Sequence, residues 1–234
     1  MALTPSFENI GIWNNHVCNS FIDEKCERFF IAFILTQKEF ILAILLYRTL
    51  IKPLIFQKEA EEAHDYAMLW GERTEASSFL KWLANSIYFY ENPSLGQTID
   101  GLYFPNPIGV AAGFDKNARI VNALESIGFG FVEVGRIKAK PSKGNPKPRA
   151  FRLPKDKGLI NRMGLNNQGA VDICHRLQQK QCSIPLGVNI AKTHDPEILG
   201  DKAIEDYRIS FQYAQKVADY ITLNISCPNT TEGK

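Results

Sequence analysis

Short motifs in the second half of the chain carry the residue types that could bind a polar, planar ligand. The motifs are AAGFDK at 111–116, EVG at 133–135, INRMGLNNQG at 160–169, GVN at 187–189 and NISCPN at 224–229. Small residues let a flat ligand approach the backbone closely, and Asn offers a heterocycle both a hydrogen-bond donor and an acceptor. Together with Lys116 and Cys227, this Asn-rich set predicts a site for a polar ring and an anionic group.

Most of these motifs lie at the ends of short apolar runs that predict β-strands. The predicted strands span 108–111, 131–134, 186–190 and 220–225, and the helices between them span 118–127, 168–179 and 203–218. Strands rich in Val and Ile that alternate with helices form parallel sheets, and barrel enzymes place their active sites at the carboxyl ends of such strands. The stretch 151–162 predicts an inserted hairpin.

The predicted fold class is therefore α/β, as the first half of a (β/α)8 TIM barrel. A complete barrel needs eight strand–helix units and typically ~250 residues, and the sequence predicts about half of them. Because an open half-barrel would leave strand edges exposed, we expect the chain to be incomplete. We divide it into an N-terminal extension at 1–45, a helical segment at 46–95 and the half-barrel at 96–234.

The N-terminal third is apolar in parts but predicts no membrane span. Gln37, Lys38 and Glu39 interrupt the apolar residues of 28–57, so no stretch reaches the ~20 apolar residues that a spanning helix needs. One interpretation is a helix or helix pair in the membrane interface, and the other is a helix pair buried against the protein. Residues 58–92 predict helices whose Trp, Phe and Met stripe would form either core or the lining of an apolar slot.

The composition argues against nucleic-acid binding and against a metal site. The 234 residues are 45% hydrophobic with a net charge of +2, which suits a globular fold and gives no general sign of nucleic-acid binding. The five Cys form no CxxC pair and the four His lack metal-ligand spacing. We therefore expect no metal site and reduced thiols.

Six ordered segments resemble the first half of the dihydroorotate dehydrogenases, which are FMN enzymes of pyrimidine synthesis. The segments are AAGFDKNA, GFGFVEVG, GNPKPRAFRLP, INRMGLNNQG, PLGVNIAK and ADYITLNISCPNT. A further segment, YRTLIKPLIFQKEAEEAHDYAM at 47–68, resembles the helical prelude of the membrane-associated, quinone-linked class. The resemblance covers the chain from about residue 46 to its end.

The resemblance implies that dihydroorotate lies against the FMN ring, gives a hydride to the flavin and loses a proton to a base. Cys227 falls at the position of that base. The residues implied to contact FMN are Ala111, Ala112, Gly113, Lys116, Gly135, Asn161, Asn189 and Asn224. The residues implied to bind the pyrimidine are Lys116, Asn161, Arg162, Met163, Gly164, Leu165, Asn229 and Thr230.

In the membrane-associated class, two helices of the prelude form an apolar tunnel that brings a quinone to the flavin. His64 and Arg152 occupy positions that resemble those at the tunnel, although on the residues alone they are a helix histidine and a surface cation. The resemblance implies a protein at a membrane surface. We expect the cytoplasmic face of a bacterial inner membrane, with the mitochondrial inner membrane as the alternative.

Three residues depart from the membrane-associated class. Cys227 stands where that class usually has Ser and the soluble class has Cys, and a thiol, with an ordinary pKa of about 8.5, is a more accessible base than a hydroxyl. Arg136 stands where the family has a small hydroxyl residue beside the flavin, and Leu165 replaces an aromatic residue. The Cys keeps the soluble class, with another electron acceptor, as an alternative.

The residues are also compatible with two different kinds of protein. One is a non-catalytic half-barrel that binds at a membrane interface. The second is a different FMN barrel, such as a dihydropyrimidine dehydrogenase domain, against which GNPKPRAFRLP and the prelude argue. In the family, the second half of the barrel supplies a further Lys and the Gly-rich loops for the FMN phosphate. We therefore expect the chain by itself to bind FMN weakly and to turn over little.

Overall fold

The structure, a computed structural model, describes residues 45–193, 195 and 197–225. The chain divides into two compact units, Met1–Leu46 and Tyr47–Lys234, and the elements below belong to the second. After a π-helical turn at Tyr47–Ile51, its helices are α1 (Lys52–Phe56), α2 (Ala60–Ala76), α3 (Ser78–Tyr88), α4 (Val121–Ser126), α5 (Ala170–Gln178) and α6 (Asp201–Ala214). Its strands are β1 (Gln97–Ile99), β2 (Leu102–Phe104), β3 (Gly109–Val110), β4 (Phe131–Ile137), β5 (Ala150–Leu153), β6 (Gly158–Asn161), β7 (Leu186–Ala191) and β8 (Tyr220–Asn224).

The central sheet is parallel, with the strand order β3-β4-β7-β8. Helices α4, α5 and α6 follow its first three strands, which confirms the predicted alternation of strands and helices. Since side chains alternate along a strand, one face carries Val132, Val134 and Val188, which pack in the core with Ile173 of α5. The opposite face, named the inner face here, carries the residues Glu133, Gly135, Gly187, Asn189, Tyr220 and Thr222.

Two antiparallel hairpins accompany the sheet. The predicted hairpin at 151–162 is confirmed, because β5 pairs with β6 from Ala150 opposite Asn161 to Leu153 opposite Gly158. The second hairpin, β1 with β2, was not predicted. Its strands have three residues each, which is too short for a clear alternation of apolar and polar side chains.

The N-terminal helices expose most of their large apolar side chains. Trp70, Phe79 and Trp82 are each more than 60% exposed, whereas Met68 of α2 is buried in the core. The core interpretation of this stripe is therefore wrong for the three aromatic residues. The apolar side chains of Tyr47–Phe56 are exposed as well. No helix among the described residues combines the length and the apolar character needed to cross a bilayer.

The loop after β3 is fixed by one buried carboxylate. Asp115 is fully buried, and its Oδ1 accepts hydrogen bonds from the amides of Asn117 (3.3 Å) and Arg119 (2.9 Å). Its Oδ2 accepts from the amide of Ile120 at 2.8 Å, and its carbonyl oxygen accepts from the amide of Gly135 at 3.2 Å. Asp115 therefore joins the AAGFDK loop to the segment that leads into α4 and to the end of β4.

We expect Asp115→Ala to lower the free energy of unfolding by about 3 kcal/mol, because it leaves buried amide donors without an acceptor. Urea unfolding of the chain measures this change. Asp172→Ala in the exposed first turn of α5 is the matched control, and it should cost at most about 1 kcal/mol. Equal destabilisation by the two substitutions would contradict the bracing role of Asp115.

Candidate active site

The carboxyl ends of the central strands bring several predicted site residues together. Gly135 of β4 lies opposite Asn189 of β7, and Ala191 at the end of β7 lies opposite Asn224 at the end of β8. Gly135 has a φ of +109°, and a Cβ there would lie 2.5 Å from the carbonyl oxygen of Asn189. Only glycine fits this position, so no side chain covers the strand there.

A hydrogen-bond network crosses the inner face of the sheet. The Glu133 carboxylate accepts from Asn189 Nδ2 at 2.8 Å and from Thr222 Oγ1 at 3.1 Å. Burial and the neighbouring Glu133 raise the pKa of Tyr220 well above its ordinary value. Asn189 is buried, and its Oδ1 has no hydrogen-bond partner among residues 45–225 that the structure describes. Because Glu133 binds the amide nitrogen, the oxygen is the Asn189 atom that this network leaves without a donor.

The AAGFDK loop borders the same strand ends and has open space beside it. Ala111 follows β3 directly and is exposed, and Ala112 is half-buried. Gly113 has a φ of +107°, and a Cβ there would meet no atom within 4 Å. The backbone at Gly113 therefore faces space that a flat ligand could fill.

Lys116 lies in a small cavity of about 60 Å³ that His64, Asp65 and Met163 also line. Burial lowers the pKa of Lys116 from its ordinary value, and the charge of Glu61 opposes that effect. Burial, and after it the charge of Lys116, lowers the pKa of His64. A bound anion near Lys116 would favour its charged form, because opposite charges stabilise one another in partly desolvated surroundings.

The predicted pyrimidine loop runs from the end of β6 towards the end of β7. Asn161 and Arg162 are exposed, whereas Gly164 is buried. Leu165 is also buried, with a φ of +53°, and it packs against Ala191. The structure thus brings Leu165 to the β7 end, and Met163 to the Lys116 cavity. Asn161 lies on β6, in the hairpin with β5, and not on the central sheet that carries Asn189 and Asn224.

His64 and Arg152 lie near the start of α2. The His64 ring meets Phe114 of the AAGFDK loop edge-on, with 5.1 Å between the ring centroids. Arg152 donates a hydrogen bond to the carbonyl oxygen of Lys58 and lies 4.7 Å above the Phe56 ring. The side chain of His64 therefore contacts the loop that carries Lys116, and Arg152 contacts the segment between α1 and α2.

Three of the predicted residues, Cys227, Asn229 and Thr230, lie outside the described part of the chain. Arg136, which departs from the family pattern, is half-buried on β4, and its carbonyl oxygen accepts a hydrogen bond from Asn167 Nδ2. No group of three or more His, Cys, Asp or Glu side chains that could hold a metal ion occurs in the described ranges.

Four residues of the site were not predicted to have a role in it. Asp115 belongs to the AAGFDK motif and Glu133 to the EVG motif. The position of Glu133 within an apolar predicted strand was a signal that could have identified it. Glu61 and Arg149 form a buried ion pair between residues that are 88 positions apart. No local pattern in one sequence can indicate such a pair.

Comparisons with known proteins agree with this geometry. The profile of the dihydroorotate dehydrogenase family matches residues 94–234. The dihydroorotate dehydrogenase (quinone) of Roseiflexus sp. (strain RS-1) is 43% identical over 182 residues, which cover 77% of this chain and 50% of that protein. The one of Gloeobacter violaceus is 43% identical over 185 residues, which cover 79% of this chain and 51% of that protein. The chain thus spans about half the length of the curated relatives it matches.

Two solved structures are similar as well. The dihydroorotate dehydrogenase of Eimeria tenella in complex with ferulenol is 39% identical, with a TM-score of 0.60 over 74% of this chain and 46% of that protein. The ligand-free structure of the Eimeria tenella enzyme has a TM-score of 0.55 at 42% identity, over 64% of this chain and 44% of that protein. The parallel half-barrel, these solved structures and a family profile that matches more than half of the residues lead to one conclusion: this chain belongs to the dihydroorotate dehydrogenase family.

Proposed function

We propose that this chain serves the FMN-dependent oxidation of dihydroorotate to orotate in pyrimidine synthesis, with a quinone as the electron acceptor. Membership of the family supports the reaction, and the names of the relatives, which are quinone enzymes, support the acceptor. The observation that carries the proposal is the buried Asn189 Oδ1 on the inner face, which lacks a partner among the described residues.

The residues at the strand ends fit a flavin ring. An isoalloxazine ring is flat and carries both N–H donors and carbonyl acceptors, and Asn189 Oδ1 offers an acceptor for such a donor. Gly113 and Gly135 leave the backbone without side chains beyond β3 and on β4, which lie on one side of Asn189 in the sheet. Bound at these residues, FMN would supply the hydride acceptor for the oxidation at C6 of dihydroorotate.

The side chains of this chain bind the reactants and move the proton. Lys116 binds the carboxylate of dihydroorotate, because its half-buried ammonium lacks full solvation and gains from an anion. The loop 161–165, together with Asn229 and Thr230, holds the pyrimidine ring. Cys227 removes the proton from C5. Asn161 and Asn224 complete the polar contacts to the flavin and the substrate.

The N-terminal helices form the quinone side of the proposed site. His64 contacts Phe114, two residues before Lys116, and Arg152 stacks on Phe56. The exposed aromatic side chains of α3 and of α2, the helix that carries His64, offer an apolar surface. An isoprenoid quinone has an apolar tail and two polar carbonyls, so it suits a surface of this composition.

We expect the chain, supplied with FMN in large excess because it should bind this cofactor weakly, to reduce a soluble ubiquinone analogue slowly with dihydroorotate as the electron donor. The measurement is the rate of orotate formation, with ubiquinone, menaquinone and fumarate analogues compared in parallel. Fumarate as the preferred acceptor would replace the quinone proposal by the soluble class. If the chain binds vesicles without FMN and shows no turnover at any FMN concentration, the non-catalytic half-barrel that binds at a membrane interface is favoured instead.

Replacing the proposed base should separate proton removal from binding. We expect Cys227→Ala to lower kcat by about 10²–10⁴, and Cys227→Ser to keep more turnover with its pH profile moved to higher pH. Cys182→Ala is the matched control, since burial and Glu125 raise the pKa of Cys182 to about 12. Wild-type kcat in Cys227→Ala would refute the assignment of the base.

The apolar surface of α2 and α3 predicts binding to membranes, which we propose to be the cytoplasmic face of a bacterial inner membrane. Burying one large apolar side chain is worth about 1.5–3 kcal/mol. The double substitution Phe79→Ser and Trp82→Ser should therefore weaken binding to phosphatidylethanolamine–phosphatidylglycerol vesicles at least about tenfold. Ile204→Ser, at an equally exposed position of α6, is the control. Equal vesicle binding by all three proteins would contradict a membrane role for this surface.

A further inference from the structure

The Arg149 guanidinium joins the first turn of α2 to the loop that precedes β5. It is buried, and it binds the buried Glu61 carboxylate through Nε at 3.0 Å and Nη2 at 2.6 Å. Its remaining nitrogen, Nη1, donates to the carbonyl oxygens of Lys143 (2.7 Å) and Asn145 (2.9 Å). One side chain thus fixes a carboxylate on a helix and two carbonyl groups on a loop.

The 143–149 loop in turn holds the backbone of the proposed pyrimidine loop. The Asn145 amide donates to the Met163 carbonyl oxygen at 3.1 Å, and Asn145 Nδ2 donates to the Arg162 carbonyl oxygen at 2.7 Å. The Arg162 amide donates to the Arg149 carbonyl oxygen at 2.8 Å. A Cβ on Gly144 would lie 2.2 Å from the Met163 carbonyl oxygen, so the two loops are in close contact.

The same turns of α2 also support the other side of the site. His64 lies three residues after Glu61, on the same face of the helix. Its ring contacts Phe114, which belongs to the loop of Lys116. Lys147 Nζ lies 3.2 Å from Glu61 and adds a second cation to this carboxylate. The start of α2 is therefore a shared support for the Lys116 loop and the pyrimidine loop.

We propose that Arg149 is a positioning residue: anchored by Glu61, it holds the 143–149 loop and through it the backbone of Arg162 and Met163 in the form that binds the pyrimidine. This inference rests on the proposed function for the identity of the ligand. The coupling between α2 and the 143–149 loop is independent of which ligand binds. Arg149 and Glu61 do not themselves touch the reacting atoms.

Helix α2 contains an internal control for this proposal. Glu72 of α2 pairs with Arg119, and neither residue belongs to the 143–149 or 161–165 segments. Glu72→Gln therefore removes one acidic charge from the same helix without touching the pyrimidine loop. If the loss of any acidic charge on α2 were enough to loosen the loop, both variants would show it, whereas the proposed coupling would affect only Glu61→Gln.

Hydrogen exchange of backbone amides in the whole chain tests the coupling without any ligand. We expect Glu61→Gln to speed exchange at the amides of Asn145 and Arg162 at least about tenfold, with the amides of β7 unchanged. Glu72→Gln should leave the amides of Asn145 and Arg162 within about twofold of wild type. Equal exchange at these amides in the two variants overturns the proposal.

A second variant decides the result if Glu61→Gln also loses protection in β7. Arg149→Lys keeps a cation that can bind Glu61, but a single ammonium cannot replace a guanidinium that binds the carboxylate through two nitrogens and the two carbonyl oxygens through the third. We expect it to speed exchange at Asn145 and Arg162 as well. Wild-type exchange at both amides in Arg149→Lys overturns the role of the guanidinium.

Binding and kinetics connect the coupling to the substrate. Glu61→Gln should raise the dissociation constant of orotate and the KM for dihydroorotate about tenfold while kcat stays within about twofold, and Glu72→Gln should change none of them. A fall in kcat without a change in KM or orotate affinity overturns the positioning role. If the wild-type chain binds no orotate, the proposed function fails, and the exchange rates alone decide the coupling.

Discussion

The arrangement of the site depends on the buried Asp115 carboxylate. Its oxygens accept amide hydrogen bonds from Arg119 and Ile120, and its carbonyl oxygen accepts one from Gly135. A carboxylate without water needs such donors, because an unpaired buried charge costs several kcal/mol, on the order of 3–5. The four hydrogen bonds to Asp115 hold the loop after β3 in the observed conformation. That conformation turns Phe114 towards His64 and Lys116 into the small cavity, so one carboxylate fixes the direction of the residues on either side of it.

Glu133 has a comparable role on the inner face of the sheet. An Asn side chain can present either its nitrogen or its oxygen to a ligand, and the neighbouring hydrogen bonds decide which. Because Glu133 accepts from the Asn189 nitrogen, the oxygen is the atom left without a donor among the described residues. The site would therefore select a ligand that donates at this point. The hydrogen-bonding group that the site presents to a ligand therefore depends on the Glu133 carboxylate of β4 and the Asn189 amide of the neighbouring β7.

The sequence predicted the parts of the fold that follow from local patterns of residues. It did not predict contacts between residues that are far apart in the chain. The four parallel strands and their helices could be predicted because β4 and β7 are short runs that contain Val and Ile and that are followed or preceded by helical segments. The exposure of Trp70 and Trp82 could not, since a helical stripe is the same whether it packs in a core or faces away from it. The pairing of Glu61 with Arg149 depends on the tertiary structure. In the site, the sequence predicted that Gly and Asn residues lie at the strand ends. It did not predict which atom of each Asn side chain is bound within the protein.

The two faces of α2 explain how an exposed apolar helix keeps its place on the half-barrel. Glu61, Met68, Glu72 and Glu75 recur at helical spacing and meet Arg149, the core, Arg119 and Lys180 respectively. Gly71 on this face approaches the Ile120 side chain closely. Ion pairs and one buried Met thus bind the helix to the barrel, so its large apolar side chains are not needed for that contact. Tyr66, Leu69 and Trp70 are exposed, as the membrane and quinone contacts proposed above require. The face of α2 that carries the three Glu and Met68 therefore attaches the helix to the half-barrel, and the opposite face keeps its apolar side chains exposed.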